Sequence, residues 1–412
     1  MESYLLDWVN LLLRWAHVLT AIAWIGPSFY FVFLDASLTA PSDEDLKKQG
    51  VSGELWAVHG GGFYHPVKFA VKPPHMPAHL HWFYWESYST WITGFALFTV
   101  SYLWNASIYL IDKSLMAWSP GAAIGVALSF FVLFWLLYDG ICQLFGKGKN
   151  GDKVVVALVA VLVCAASYLA CHWFAGRAAF LLVGAMLATA MSANVFFWII
   201  PGQRKVVASI KAGEPVDPMH GVRGKQRSVH NTYFTLPVLF AMLSNHYSFT
   251  WSHPQNWLIL ILMMFAGAAI RQFFVLRHGY KLGRNRHPIG YALAGVAVIV
   301  GTIIWLKPQA QPKNFNTIVS IASNTIKTPT TASFDYKTVQ KVFESRCYQC
   351  HGAQLQMKNI RLDSPALVKQ HAQSIYQQVV VLKIMPMNNA TGIKDDERAV
   401  VKQWFESGAR IE

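Results

Sequence analysis

Eight long apolar segments limit what this chain can fold into. They lie at residues 8–34, 82–104, 121–145, 154–174, 178–201, 231–250, 256–276 and 288–306. As helices, they are long enough to cross a hydrocarbon core of about 30 Å. Only α-helices and closed β-barrels satisfy their own backbone hydrogen bonds inside a bilayer. Because 54% of the chain is hydrophobic and only 14% is charged, the sequence predicts an all-α bundle of eight transmembrane helices over residues 1–306.

The loops between these segments differ sharply in charge. The odd-numbered loops hold seventeen Lys and Arg residues, whereas the even-numbered loops hold only Lys113 and Arg177. The positive-inside rule places the odd-numbered loops in the cytoplasm and both chain termini in the periplasm. This asymmetry also accounts for the net charge of +14 without a nucleic-acid partner. We therefore expect a multi-pass protein in contact with the lipid of a bacterial inner membrane.

A second constraint is the motif Cys347-Tyr348-Gln349-Cys350-His351 near the C-terminus. C-x-x-C-H is the attachment signature of c-type haem, in which both thiols bond to the haem and the histidine binds the iron. A zinc or redox Cys pair is the alternative, but the sequence holds no second Cys/His pair to complete a zinc site. Covalent haem attachment takes place outside the cytoplasm, in agreement with the side derived from the loop charges.

The residues after the motif indicate a small haem domain. Met385 precedes a proline and is the expected sixth iron ligand, with Met387 as the alternative. Helical patterns at 334–347, 375–382 and 395–407 predict a class I-like cytochrome c domain at residues 334–412 that holds one covalent haem c. The Pro/Thr/Ser/Asn/Gln-rich stretch at 307–333 is predicted to be a flexible linker.

Ionisable residues within the apolar segments mark candidate sites, because charge is costly in a bilayer. The cytoplasmic layer holds Asp35, Glu86, Asp139, His230 and Arg271, and the periplasmic layer holds Arg14, His17, His172 and His246. Residues at segment ends, such as Asp35, have snorkelling to water as an alternative. Glu86 and Arg271 lie about one turn inside their segments, where snorkelling is less favourable.

The predicted cytoplasmic loop 36–81 is rich in histidine. It contains His59, His65, His75, His79 and His81, together with the run Gly60-Gly61-Gly62. The last three histidines have spacings that suit a metal, but no cysteine lies nearby. We therefore favour a structured, metal-free loop that covers the bundle.

Three stretches carry a resemblance to a known family. They are Trp15 to Phe31 (with W-A-H-V, A-W-I-G and F-Y-F), Val58 to His65 (V-H-G-G-G-F-Y-H) and Leu80 to Glu86 (L-H-W-F-Y-W-E). Met385-Pro386 and Asn389-Ala390-Thr391-Gly392 add to them. Over essentially its whole length, the chain resembles the membrane-bound urate oxidases (urate hydroxylases) of the PuuD type, which join a multi-span domain to a cytochrome c domain.

The resemblance implies an enzyme of purine degradation that oxidises urate to 5-hydroxyisourate and delivers the electrons to a cytochrome. Arg271 is then the natural partner for the planar urate anion, and Glu86, His59 or His65 could accept its proton. A downstream cytochrome c or terminal oxidase would receive the electrons. The alternatives are a membrane dehydrogenase for quinol or another small molecule, and a membrane-anchored cytochrome c that only carries electrons.

A second cofactor is a further candidate. The pattern of His17 followed by Trp24 and Gly26 is similar to small membrane oxidoreductase families in which such a histidine binds haem b. Urate on the cytoplasmic side and haem c beyond the membrane would require a relay between them. A non-covalent haem b with His17 and His246 as its ligands would supply one.

Overall fold

The computed structural model of the protein describes residues 2–148, 150–307, 335–357, 360–381 and 383–411. The predicted linker at 307–333 lies outside the described residues, apart from Lys307. Phe334 and Leu382, at the edges of two predicted helices, also lie outside them.

Helices form at all eight predicted positions. In chain order the helices of this part are α1 (Glu2–Ser37), α2 (Glu44–Lys48), α3 (Trp85–Phe98), α4 (Ala106–Tyr109), α5 (Pro120–Phe145), α6 (Gly151–Trp173), α7 (Gly176–Asn194), α8 (Ile200–Ala212), α9 (Pro218–Leu243), α10 (Ser248–Trp251), α11 (Asn256–Lys281) and α12 (Ile289–Trp305). A π-helical segment, Thr99–Leu103, continues α3, and a second, Val195–Ile199, joins α7 to α8.

Five helical stretches in the described part of the chain are long and apolar enough to cross a membrane: Tyr4–Ser37, Pro120–Phe145, Gly151–Trp173, Gly176–Ala212 and Asn256–Lys281. The apolar helix α12 is shorter, at 17 residues. The fold is thus mostly helical and compatible with a membrane protein. The expectation of eight spans stays a prediction for α3, α9 and α12.

The sixth predicted segment, 231–250, differs most from the structure. Asp217 caps α9 by accepting a hydrogen bond from the Met219 backbone N–H at 2.8 Å, and Pro218 occupies the first helical position. Both features favour a helix start here. The helix ends at Leu243, and the exposed His246 lies beyond it in a 3-10 turn. His246 is therefore not inside a helical span, as the segment 231–250 had implied.

Helix α7 lies at the centre of the bundle. It packs against α5, α6 and α9, while α11 packs against α9 and α12. Helix α1 lies at the edge, where it packs mainly along α3 and also contacts α11. This arrangement leaves many large apolar side chains exposed on the outer helix faces, as expected for contact with lipid.

The loop after α1 forms two small antiparallel sheets. Strand β1 (Val51–Glu54) pairs with β4 (Val67–Phe69), and β2 (Ala57–His59) pairs with β3 (Gly62–Tyr64). Gly60 and Gly61 connect β2 to β3 with φ of +58° and +81°. Two successive positive φ angles favour glycine in such a tight hairpin turn. The loop is structured, as the sequence analysis expected.

The C-terminal residues form a small helical unit with its own core. Its helices are α13 (Tyr336–Arg346), α14 (Tyr348–His351), α15 (Pro365–Gln370), α16 (Ala372–Ile375), continued by the π-helical segment Tyr376–Val381, and α17 (Asp395–Glu406). Phe343 and Trp404 are fully buried and meet edge to face, with ring centroids 5.4 Å apart. Helices overlap all three predicted positions, while α14 and α15 were not predicted.

Candidate functional site

Arg271 is a buried cation with free hydrogen-bond donors. It lies on α11 with 6% of its surface exposed, and its guanidinium carbon is 3.8 Å from the centre of the Phe29 ring of α1. Its Nε and Nη2 atoms have no hydrogen-bond partner among the described residues. Buried donors are nearly always paired, and a guanidinium presents a planar fork that matches a planar anion. The arrangement therefore suits an anionic ligand stacked near Phe29.

Glu86, like Arg271, buries a polar atom that has no hydrogen-bond partner among the described residues. It lies in the first turn of α3, where its Oε2 atom is buried without a partner in the described part of the chain. Its Oε1 atom is 3.9 Å from Nε2 of the exposed His81. A carboxylate in this position is favoured by the helix dipole. Glu86 thus combines a buried oxygen with a nearby imidazole that is open to solvent.

Contacts between α1 and α3 show at which end of the bundle Arg271 and Glu86 lie. The helices run antiparallel, since Asn10 donates to Ser101 at 2.7 Å near one end and Phe31 meets Phe83 at 5.1 Å near the other. Phe29 and Glu86 both lie toward the second end. Arg271 and Glu86 therefore occupy the same end of the bundle, although no direct contact joins them within the described residues.

The two histidines proposed as proton acceptors lie in the small sheets. His65 Nε2 is 2.6 Å from Glu54 Oε2, and its ring stacks on Trp56 with centroids 4.0 Å apart. The backbone N–H of Ser42 donates to Glu54 and, together with His65, lowers the pKa of that carboxyl. His65 is thus engaged in holding the loop. His59 is exposed at the end of β2.

The histidines of loop 36–81 do not form a cluster for a metal. Among residues 2–148, 150–307, 335–357, 360–381 and 383–411, no group of three His, Cys, Asp or Glu side chains could hold a metal ion.

A buried polar network joins α5, α9 and the π-helical segment between α7 and α8. Arg227 donates to Asp139 at 2.6 Å, and Trp198 Nε1 donates to the same carboxylate at 2.7 Å. One turn away, Nδ1 of His230 is 2.8 Å from the Tyr138 hydroxyl. Asp139 and His230 are among the ionisable residues that the sequence singles out, whereas its apolar segments place Arg227 in a loop. In the structure Arg227 is 2% exposed and lies inside the bundle.

The spacing of Arg227, His230 and Asn231 was the available signal, because positions i, i+3 and i+4 share one helix face. It was missed because α9 was placed to begin at residue 231.

His17 packs closely against α3. Its Nδ1 atom is 3.1 Å from the Thr90 carbonyl oxygen and 3.3 Å from the Thr93 hydroxyl. A Cβ at Gly94 would stand 2.7 Å from the His17 ring, so only glycine permits this approach. If Nδ1 carries the proton, Nε2 is free to bind a metal or a haem iron. The structure records no contact between His17 and the exposed His246 among the described residues.

The C-x-x-C-H motif forms a tight turn. The backbone N–H groups of Cys350 and His351 donate to the Cys347 carbonyl at 3.1 and 2.9 Å. Both cysteines are free, and burial raises the pKa of the Cys347 thiol to about 12. His351 Nδ1 is 3.2 Å from the Ile360 carbonyl oxygen, a contact that orients such a ring and leaves Nε2 for a metal. Two unpaired thiols and one oriented imidazole fit a c-type haem.

The two candidate methionine ligands have different surroundings. Met385 packs against the apolar cluster that contains Cys347, and its carbonyl oxygen accepts a hydrogen bond from Arg398 at 2.9 Å. Met387 begins the 3-10 segment Met387–Asn389, which packs against α4 of the bundle. Met385 thus lies against the core of the C-terminal unit, and Met387 lies where this unit meets the bundle.

One comparison with known proteins gave a match, and it covers about the first three quarters of the chain. The family described as urate oxidase N-terminal matches residues 3–307. Comparison with curated proteins and with solved structures found no match.

Proposed function

Because the chain belongs to the urate oxidase N-terminal family, we propose that it oxidises urate in a bacterial inner membrane and passes the electrons to a c-type haem on its own C-terminal unit. The reaction would convert urate to 5-hydroxyisourate, as in the membrane-bound urate oxidases. The family match supports a urate-related oxidoreductase. The observation that carries the assignment of a site is the buried guanidinium of Arg271, whose Nε and Nη2 atoms have no hydrogen-bond partner in the part of the chain that the structure describes.

Urate is a planar monoanion near neutral pH, and Arg271 offers what it needs. The free Nε and Nη2 donors can pair with two acceptors on one edge of the purine, while the Phe29 ring lies at the guanidinium face. A bound anion would also remove the cost of an unpaired buried charge, which is typically several kcal/mol. This arrangement supports Arg271 as the urate-binding residue.

The oxidation consumes one water and releases two protons and two electrons. We assign Glu86 as the base that accepts a proton from urate or from the attacking water. His81, 3.9 Å away and exposed, would carry that proton to solvent. His59 and His65 remain candidates from the sequence, but the pairing of His65 with Glu54 favours Glu86.

We assign Cys347 and Cys350 to the two thioether bonds, and His351 and Met385 to the iron. A bound c-type haem accepts one electron at a time, so each urate requires two successive transfers. In this scheme the haem unit comprises residues 334–412, and the linker comprises residues 307–333. Both follow a bundle of eight spans at residues 1–306, with the N-terminus and the haem unit in the periplasm. A downstream cytochrome c or terminal oxidase would remove the electrons.

A haem b in the bundle stays a second proposal. The contact of His17 with Thr90 fits an axial ligand, whereas the exposed position of His246 beyond α9 does not support its role as the partner. We derive no step through this group.

Urate-dependent reduction of haem c in membranes tests the proposed function. Adding urate to membranes that contain the full chain should produce the reduced haem c spectrum without any other donor. Reduction by a quinol but not by urate would identify a quinol dehydrogenase instead. Reduction by neither would leave a simple electron carrier.

Substitution of Arg271 tests the site. Arg271→Ala should weaken urate binding by about 2–5 kcal/mol, the usual range for removing one partner of a buried charge pair. Arg271→Lys should also weaken it, because the planar fork is lost while the charge remains. Urate kinetics and haem content are the measurements, with Arg204→Lys, an exposed arginine on α8, as the matched control. Unchanged kinetics in a folded Arg271→Ala protein would remove this residue from the site.

A further inference from the structure

A continuous row of aromatic rings follows one face of α3. Trp91 stacks on Phe95 with centroids 5.3 Å apart, and Phe98 stacks on Tyr102 at 5.6 Å. Phe131 of α5 joins the two pairs, at 6.4 Å from Phe95 and 5.6 Å from Phe98. From Trp91 to Tyr102 the helix rises by about 16 Å, roughly half of a hydrocarbon core.

The row continues beyond α3 to the C-terminal unit. The Tyr102 ring meets Tyr109 of α4 edge to face, with centroids 6.4 Å apart. The Tyr109 hydroxyl is 3.8 Å from Met357 Sδ, six residues after the C-x-x-C-H motif. The last ring therefore touches the unit that carries the cysteines of the motif.

A separate contact fixes the two parts at the same place. Asn388 of the C-terminal unit donates to the Ile108 carbonyl oxygen at 2.6 Å. Within the bundle, the Tyr102 hydroxyl donates to Asn245 at 2.9 Å, and Arg177 donates to the same amide oxygen at 3.1 Å. Tyr102 is thus held by contacts within the bundle, and Ile108, next to Tyr109, is held by the C-terminal unit.

Aromatic side chains at helical spacing usually form ordinary core, and Phe98 and Tyr102 are indeed buried. Core packing does not explain Tyr109, which is only half-buried and lies where the C-terminal unit meets the bundle. It also does not explain why the row begins on the same helix as Glu86, five residues further along, and ends at Met357, six residues after the C-x-x-C-H motif. An electron route requires both features, since electronic coupling falls steeply across gaps between groups.

We propose that the rings of Trp91, Phe95, Phe131, Phe98, Tyr102 and Tyr109 form the route by which electrons leave the urate site, with Tyr109 as the contact to the haem unit. The inference rests on the proposed function. Oxidation of one urate supplies two electrons, which pass one at a time and each reduce ferric haem to ferrous. Between the two transfers, a one-electron acceptor of the downstream cytochrome class re-oxidises the haem.

Rapid-mixing kinetics on the purified full chain with saturating urate test the route. Tyr109→Leu should slow urate-dependent haem c reduction by about tenfold or more, while Tyr109→Phe, which keeps the ring, should stay within about twofold. Reduction by ascorbate, which reaches the haem from solvent, and the KM for urate should not change. Tyr247→Leu, an exposed tyrosine outside the row, is the matched control and should behave like the unsubstituted protein.

Four outcomes separate the two proposals. Absence of urate-dependent reduction in the unsubstituted protein would overturn the proposed function and the route with it. Normal reduction in that protein together with an unchanged rate in Tyr109→Leu would overturn the route alone. A Tyr109→Phe rate as low as that of Tyr109→Leu would also overturn it, because the hydroxyl rather than the ring would then matter. A slow Tyr109→Leu and a fast Tyr109→Phe protein would support it.

A cross-link provides a readout that needs no turnover. The pair Ile108→Cys and Asn388→Cys should form a disulfide that holds the two parts together after cleavage at a protease site inserted between residues 307 and 334. Gly213→Cys with Asn388→Cys is the control and should release two fragments. Phe98→Leu, remote from this contact, should slow electron transfer and leave the cross-link intact. Failure of the 108–388 pair to form would overturn the docking on which the route depends.

Discussion

At the scale of single residues, Arg271 and Glu86 share one property: each buries a polar atom that nothing in the described chain satisfies. An unsatisfied buried donor or acceptor typically costs about 1–3 kcal/mol, and more when charged. Arg227 is also buried, and its Nη1 atom has no partner among the described residues either, but its Nη2 atom donates to the carboxylate of Asp139. Within the described residues Arg271 has no such acidic partner, and this difference favours a missing anionic ligand at Arg271 over a purely structural role.

The cysteines of the C-x-x-C-H turn carry the prediction at this scale. If Cys347 and Cys350 form thioether bonds, the denatured chain should keep its haem on a gel and stain for peroxidase activity. Cys347→Ser or Cys350→Ser should abolish or severely weaken the stain. Cys164→Ser, at a half-buried free cysteine of α6, is the control and should stain fully. A full stain in the Cys347→Ser/Cys350→Ser double variant would exclude covalent attachment through this motif.

At the scale of elements, α9 shows what apolar segments predict and what they miss. Hydropathy located a helix at this position, but not its first half. Residues 218–230 are mostly polar, and they remain helical because Asp217 caps the start and because Arg227 and His230 are hydrogen-bonded to side chains of α5. Such partners are distant in sequence, so a window of hydropathy carries no information about them.

The Arg227–Asp139 pair gives a prediction for the packing of α9 on α5. Arg227→Leu should destabilise the bundle by about 3–5 kcal/mol, because it leaves the Asp139 carboxylate buried without its cation. The double variant Arg227→Leu/Asp139→Leu should recover part of this loss. Unfolding of the purified protein in increasing denaturing detergent measures both effects. Lys225→Leu, exposed on the same helix, is the control, and equal stability of the control and Arg227→Leu would contradict the prediction.

The candidate site likewise has features that the sequence predicts and features that only the packed fold shows. Sequence located Glu86, Arg271 and His17 because charge is rare in apolar segments. It did not show that Phe29 covers Arg271, that Gly94 admits His17, or that His65 is paired with Glu54. Each of these contacts joins residues on different elements, and only the packed fold brings them together.

At the scale of the whole molecule, the proposed orientation can be tested with reporters. The excess of positive charge in the odd-numbered loops requires the segment after α8 to face the cytoplasm and residues after α12 to face the periplasm. A periplasm-active reporter fused at Gln311 should therefore be active, and the same reporter at Gly213 silent. A cytoplasm-active reporter at both positions is the control and should give the opposite pattern. Activity at Gly213 with silence at Gln311 would reverse the topology.

The contact of Tyr109 with Met357 and of Ile108 with Asn388 joins two parts of one polypeptide. Their encounter is therefore intramolecular, and its frequency depends on the length of the connecting chain rather than on the amount of protein in the membrane. In the proposed electron route, the transfer from the bundle to the C-terminal unit would therefore not depend on an encounter between two molecules. Only the later transfer to the downstream acceptor would depend on one.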